Sequence, residues 1–278
     1  MSQSRLAPLC FITAISAMAA TTSCQAKAAA ELPCNDPENQ CTFVLLSQSN
    51  LASKTKDHDA LLKVNPGRAA QARSPYSTFK IANSMIALET GTVTSIYQPL
   101  RYDKAKYPLQ VWWPKSWQQA HNLKSAFKHS VVPVYRQLAG EIGAAKMAAY
   151  MQKFQYGNLD ISSGLDNFWL NGSLKISAIE QVHFLRALKN NDFALSQASI
   201  GKLKDLMFVE EGPRYQLFAK TGTGSIGKQQ YIAWYVGFVE NNNGTFYFAF
   251  HVEGKTFAEV QQKRPALARA HLKALDII

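Results

Sequence analysis

Thr42 to Ser47 (TFVLLS) is a short apolar run, the pattern of a buried strand, and the polar stretch Lys54 to Asp59 after it predicts a hairpin turn. Beyond the break at Ser74-Pro75-Tyr76, the residues Phe79, Ile81, Met85, Ile86 and Leu88 recur at helical spacing. They predict a helix over Ser77 to Thr90, stopped by Gly91. From about Thr92 to Leu206 the pattern is mostly helical and loop-like. Helices are predicted over Val134 to Phe154 and over Ala178 to Asn190, the second with Ser177 as its N-cap. Alternation then returns, and Tyr215 to Thr221, Tyr231 to Val239 and Thr245 to Val252 read as strands. Asn241-Asn242-Asn243-Gly244 joins the last two as a hairpin. A final helix is predicted over Glu259 to Leu275, with Pro265 demanding a late start or a kink. This order predicts an α/β fold of the α+β kind: an antiparallel sheet flanked by N- and C-terminal helices, with an inserted all-helical lobe. Residues 31–278 then form one domain, with a mixed lobe over about 31–91 and 207–278 and a helical lobe over about 92–206.

The first thirty residues follow another pattern. Arg5 precedes an apolar run from Leu6 to Ala20, too short for a comfortable membrane span and followed by small and polar residues, as in a secretory leader. Ala28 and Ala30 suit cleavage before Glu31, and a cut nearer Ala20 is the other choice. A lipoprotein anchored through Cys24 is the alternative, against which Thr21 stands where such signals carry Leu. No later segment is apolar for long enough to span a membrane, so an exported, periplasmic protein is expected. In that compartment Cys34 and Cys41 read as a small disulfide loop; in cytosol two free thiols would be the better reading.

Composition adds limits. With 47% hydrophobic and 18% charged residues, the 278-residue chain can bury a sizeable core and is not disordered. Its formal charge of +11 raises nucleic acid as a partner. Yet Lys and Arg are spread without a basic run or an aromatic-interleaved stripe, and export argues the same way, so no nucleic-acid partner is expected.

Three motif readings fail. Gly222 to Lys228 matches G-x-G-x-x-G and nearly the phosphate-binding P-loop, but Gln229 replaces the Mg²⁺-binding hydroxyl and a strand pattern follows instead of a helix. A Gly-rich turn between strands explains it better. The six histidines show no zinc spacing, and G-x-S-x-G is absent from the sequence. Ser-x-x-Lys remains, placing a hydroxyl and an amine one helical turn apart so that the amine can take the serine's proton. It occurs five times, beginning at Ser53, Ser77, Ser125, Ser199 and Ser225. Only Ser77 opens an apolar helix just after a proline turn, where a helix N-terminus also favours a developing oxyanion.

Downstream, Ser130-Val131-Val132 and Lys220-Thr221-Gly222 follow in order. Ser-x-x-Lys, Ser-x-Val and Lys-Thr-Gly together resemble the penicillin-recognising serine enzymes. Tyr156-Gly157-Asn158 and Phe168-Trp169-Leu170 sharpen the resemblance to the class D β-lactamases, over about Phe43 to Leu275. The resemblance implies that Ser77 is the nucleophile opening the lactam. It implies that Lys80 takes up CO₂ from bicarbonate to become a carbamate (N6-carboxylysine) serving as general base, and that Trp169 donates its indole N–H to that carbamate. Ser130 would carry a proton to the lactam nitrogen, supported by Lys220. Thr221 and Arg264 would hold the substrate carboxylate, Val132 would wall the pocket, and the backbone N–H groups of Ser77 and Thr223 would form the oxyanion hole. Thr223 departs from the family, which often carries an aromatic there. No metal or bound cofactor is implied; the substrate would be a small β-lactam, with monomer or homodimer left open.

Two rivals share this nucleophile. A β-lactam sensor stays acylated and carries transmembrane helices elsewhere, and a D,D-peptidase would be larger and leave Phe168-Trp169-Leu170 unexplained.

Overall fold

The computed structural model describes residues 32–36, 39–49 and 60–278. The leader, Cys24 and the Lys54 to Asp59 turn lie outside them. Strand β1 (Cys41–Ser49) pairs antiparallel with β2 (Ala60–Val64), matching Phe43 with Val64 and Ser47 with Ala60. Cys34 and Cys41 are disulfide-bonded, tying the segment before β1 to its first residue. After the short helix α1 (Pro66–Ala69), a 3-10 turn over Tyr76–Phe79 leads into α2 (Lys80–Glu89). Every residue of α2 from Lys80 to Leu88 is buried, so this helix has no solvent face and runs through the core.

A two-stranded ladder of β3 (Pro99–Leu100) and β4 (His121–Asn122) follows. Next come α3 (Leu123–Lys128), α4 (Val132–Ile142), α5 (Ala144–Phe154), α6 (Ala178–Lys189), α7 (Gln197–Ile200) and α8 (Leu203–Met207). The chain returns through β5 (Phe208–Gly212), β6 (Tyr215–Gly227), β7 (Gln230–Asn241) and β8 (Gly244–Gly254), and ends in α9 (Phe257–Ala274). The six-stranded sheet has the order β2-β1-β8-β7-β6-β5, antiparallel throughout.

Side chains alternate across this sheet and feed two apolar layers. Leu217, Ala233, Phe250 and Val252 pack with Ala268 and Leu272 of α9 on one face. Phe218, Trp234, Val236 and Ala249 join α2 and the helical segment on the other. The expected antiparallel sheet with flanking helices is therefore present. Ser177 caps α6 by accepting from the Glu180 N–H at 3.1 Å, while Glu180 accepts from the Ser177 N–H at 2.7 Å, a reciprocal capping box.

Four expectations change. The single helix over Val134 to Phe154 is two helices, because Gly143 at φ 83° breaks the ladder. The span from Thr92 to Leu206 holds the β3–β4 ladder as well as helices, and β5 follows directly on α8. The Gly-rich segment from Gly222 is no turn: β6 runs through it to Gly227, and the chain reverses at Lys228-Gln229. The last helix does not start late. Thr256 caps it by accepting from the Glu259 N–H at 3.1 Å, and Pro265 lies inside it. Among the described residues, no helix is long and apolar enough to cross a membrane.

Candidate active site

The 3-10 turn puts Ser77 ahead of α2 and Lys80 on its first residue, and the Lys80 amine donates to the Ser77 Oγ at 2.9 Å. Lys80 is fully buried, and an ammonium there gives up water without finding a carboxylate among the described residues. Burial accordingly pulls its pKa from the usual lysine range down to about 7. The face of Tyr135 lies 5.0 Å from the amine, and the Tyr135 hydroxyl shares a 2.8 Å hydrogen bond with Ser84.

A second pair stands beside the first. Ser130 sits in the turn between α3 and α4 with φ 55°, and its Oγ accepts a short hydrogen bond from the Lys220 amine. Lys220 also donates to the Thr221 carbonyl at 3.0 Å, and its amine lies 5.4 Å from the Phe127 ring centre. Burial is the main cause holding its pKa well below the ordinary value, with repulsion from Lys80 and Arg264 adding to it. Two buried amines whose pKa values burial lowers, each beside a serine hydroxyl, are suited to exchanging protons with those hydroxyls.

β6 supplies the far wall. β5 pairs with it only as far as Phe218, so from Ala219 to Gly227 no strand covers that edge. The nucleophile turn packs there. A Cβ on Gly222 would lie 2.8 Å from the Pro75 carbonyl oxygen, closer than side chains tolerate, and 3.1 Å from the Ser77 nitrogen, a tight contact. Lys220, Gly222 and Gly224 share one face of β6, while Thr221 and Thr223 share the other, towards α9. There the Arg264 Nη1 donates to the Thr223 Oγ1 at 2.8 Å. Among the described residues no carboxylate pairs with Arg264, its buried Nε has no partner, and burial draws its pKa down to about 10. A guanidinium held this way lacks only an anion.

Trp169 is completely buried and stacks on Phe79 with ring centres 5.5 Å apart, and its carbonyl accepts from the Tyr76 N–H at 3.0 Å. Its indole N–H has no partner, an unusual cost for a buried donor. An orphaned indole N–H stacked on Phe79, the residue before Lys80, is a donor that would suit a carbamate on that amine. Val132 opens α4 and, with Leu170 and Trp113, lines a cavity of about 290 Å³. Tyr156 packs edge-on against Phe79, and Asn158 ties its loop by donating to the Ser173 carbonyl at 3.0 Å and accepting from the Lys175 N–H at 2.9 Å. Both act as scaffold. Among the described residues no cluster of His, Cys, Asp and Glu could hold a metal.

The structure thus joins Ser77 to Lys80, Ser130 to Lys220 and Thr223 to Arg264, with Thr221 between the last two groups. Sequence reasoning missed Tyr76, Phe127 and Tyr135, which contact these groups through packing that no motif announces. Gly222 and Gly224 did leave a signal: two glycines two apart in a strand put bare backbone on one face.

Comparisons agree with this geometry. The penicillin-binding-protein transpeptidase domain family matches residues 21–273. The chain is 40% identical over 214 residues to β-lactamase OXA-48 of Klebsiella pneumoniae, covering 77% of this chain and 78% of that one. It is 36% identical over 213 residues to β-lactamase OXA-10 of Pseudomonas aeruginosa, covering 76% and 75%. Among solved structures, the class D β-lactamase FUS-1 (OXA-85) of Fusobacterium nucleatum superposes with a TM-score of 0.77 at 31% identity, covering 88% of this chain and 96% of that one. The class D enzyme YbXI from Nostoc gives 0.78 at 31% identity, covering 88% and 97%. A buried Ser-x-x-Lys pair facing a Lys-Thr-Gly strand, in a chain this similar to such enzymes, makes it a member of the class D β-lactamases, serine hydrolases of the penicillin-recognising superfamily that act on β-lactams.

Proposed function

We propose that this chain hydrolyses the lactam amide of penicillin-type antibiotics through an acyl-enzyme on Ser77, and so confers resistance. The observation carrying this is the 2.9 Å contact between the Ser77 hydroxyl and a fully buried amine whose pKa falls near 7. The Ser77 Oγ attacks the lactam carbonyl carbon, and the N–H groups of Ser77 and Thr223 receive the oxyanion. The lactam C–N bond then breaks, and the nitrogen takes its proton from Ser130, which the Lys220 amine resupplies. Arg264 and Thr221 hold the substrate carboxylate, and Val132 supplies a wall of the pocket. Water finally cleaves the Ser77 ester, releasing the ring-opened acid.

CO₂ bound to Lys80 as a carbamate supplies the general base for both halves. The neutral Lys80 amine is the form that can accept CO₂, and the unpartnered Trp169 N–H is the donor that would steady the resulting charge. Export to the periplasm, with the leader over residues 1–30 removed, agrees with the Cys34–Cys41 disulfide. The same bond fits a lipid anchor at Cys24.

Turnover of a chromogenic lactam, with and without added bicarbonate, tests this reading. Hydrolysis should rise with bicarbonate after CO₂ removal and vanish in Ser77→Ala and Lys80→Ala. A single burst without steady turnover would instead mark a sensor.

A further inference from the structure

The residue before the nucleophile has the rarer geometry. Tyr76 holds φ 49°, a left-handed conformation that a bulky aromatic seldom adopts, and it is 4% exposed. Three contacts keep it there. Its N–H donates to the Trp169 carbonyl at 3.0 Å, its ring lies against the bare backbone of Gly224, and its hydroxyl donates to the Ser225 carbonyl. A Cβ built on Gly224 would overlap that ring. Gly224 itself does not need a left-handed φ, so the ring is what forbids a side chain there. One side chain thus spans from the turn carrying Ser77 to the uncovered edge of β6, bracketing Thr223 from the far side.

We propose that Tyr76 is a positioning residue for the oxyanion hole: its ring and hydroxyl latch the Thr223–Ser225 segment of β6 to the nucleophile turn, fixing the Ser77 and Thr223 N–H groups relative to each other. This rests on the reading of Ser77 as nucleophile. Two donors on separate elements serve one oxyanion only if the gap between the elements is fixed, since the hole must be preorganised before charge develops. Gly222 lets the strand come close to Ser77, and Tyr76 holds it there. The phenol stays protonated through the working range, because burial raises its pKa to about 12.

The test is the acylation rate constant per titrated active site, in the full chain, with a chromogenic penicillin. Tyr76→Phe keeps the ring and loses the latch to Ser225, and acylation should fall about three- to tenfold with the substrate dissociation constant and the pH profile unmoved. Gly224→Ala should cost more, by pushing the strand off the ring. Tyr76→Ala/Gly224→Ala, in which no ring opposes the methyl, should be faster than Gly224→Ala alone. That recovery separates a latch from general damage, because two merely destabilising changes would compound, and thermal melts report folding independently. If Gly224→Ala acylates at the parental rate, or the double variant is the slowest of all, the latch is refuted. If the parent forms no adduct on Ser77 by mass spectrometry, the nucleophile assignment fails instead.

Discussion

The Lys80 amine stands 2.9 Å from the Ser77 hydroxyl in a place where no acidic side chain among the described residues offsets its charge. Burial alone lowers its pKa to about 7, so the neutral amine is lost as pH falls through that value. Turnover at limiting bicarbonate should therefore decline below about pH 7, with a midpoint that moves to lower pH as bicarbonate is raised. A pH–rate series at several bicarbonate concentrations checks this. A midpoint near 4 that ignores bicarbonate would point to a carboxylate base instead.

Trp169→Phe isolates one hydrogen bond. Phenylalanine preserves most of the packing against Phe79, 5.5 Å away, and removes only the orphaned indole N–H as a donor. A bond to a buried anion is worth about 1.5–3 kcal/mol, so the bicarbonate needed for half-maximal activity should rise roughly 10- to 100-fold. Bicarbonate titration of initial rates measures it. An unchanged requirement would show that the indole N–H faces something other than Lys80.

Arg264 offers a test by substrate choice. Its guanidinium is fixed by Thr223 and paired with no acid among the described residues, so it is placed for a carboxylate brought by the substrate. Arg264→Leu should raise KM for a carboxylate-bearing penicillin by about 10- to 100-fold. The corresponding penicillin ester should lose little. Equal losses for both would assign Arg264 to holding β6.

How much was legible depended on whether the signal was local. β1, β7, β8 and α6 show in the period of their apolar residues, and the Ser177 cap shows in its spacing from Glu180. Two pairs that the structure brings together, Ser77 with Lys80 and Ser130 with Lys220, stand in short motifs, although Ser130 and Lys220 meet only through the fold. What failed was non-local or cooperative. Gly143 breaks an otherwise continuous helical pattern through its φ, and Gly222 to Gly227 stays extended because strand pairing and the nucleophile turn outweigh glycine's preference for turns. Tyr135 belongs to no motif, and only the fold sets its ring over the Lys80 amine.

The same burial that activates Lys80 should weaken the fold. An unfolded lysine titrates near 10.5 and the buried one near 7, so between those values the unfolded chain binds more protons than the native one. Native stability in CO₂-free buffer must then rise with pH across that window, and the penalty is largest below about pH 7, where the buried amine is charged. Lys80→Met keeps a similar shape without the charge. It should abolish hydrolysis and yet stabilise the protein by roughly 1–4 kcal/mol at neutral pH, the range seen when apolar residues replace buried ionic groups. Urea unfolding at a series of pH values measures this: the gap between variant and parent should shrink towards pH 10. A variant less stable than the parent at pH 6 would mean that Lys80 is held by compensating contacts, and the depressed pKa would have to be abandoned with it.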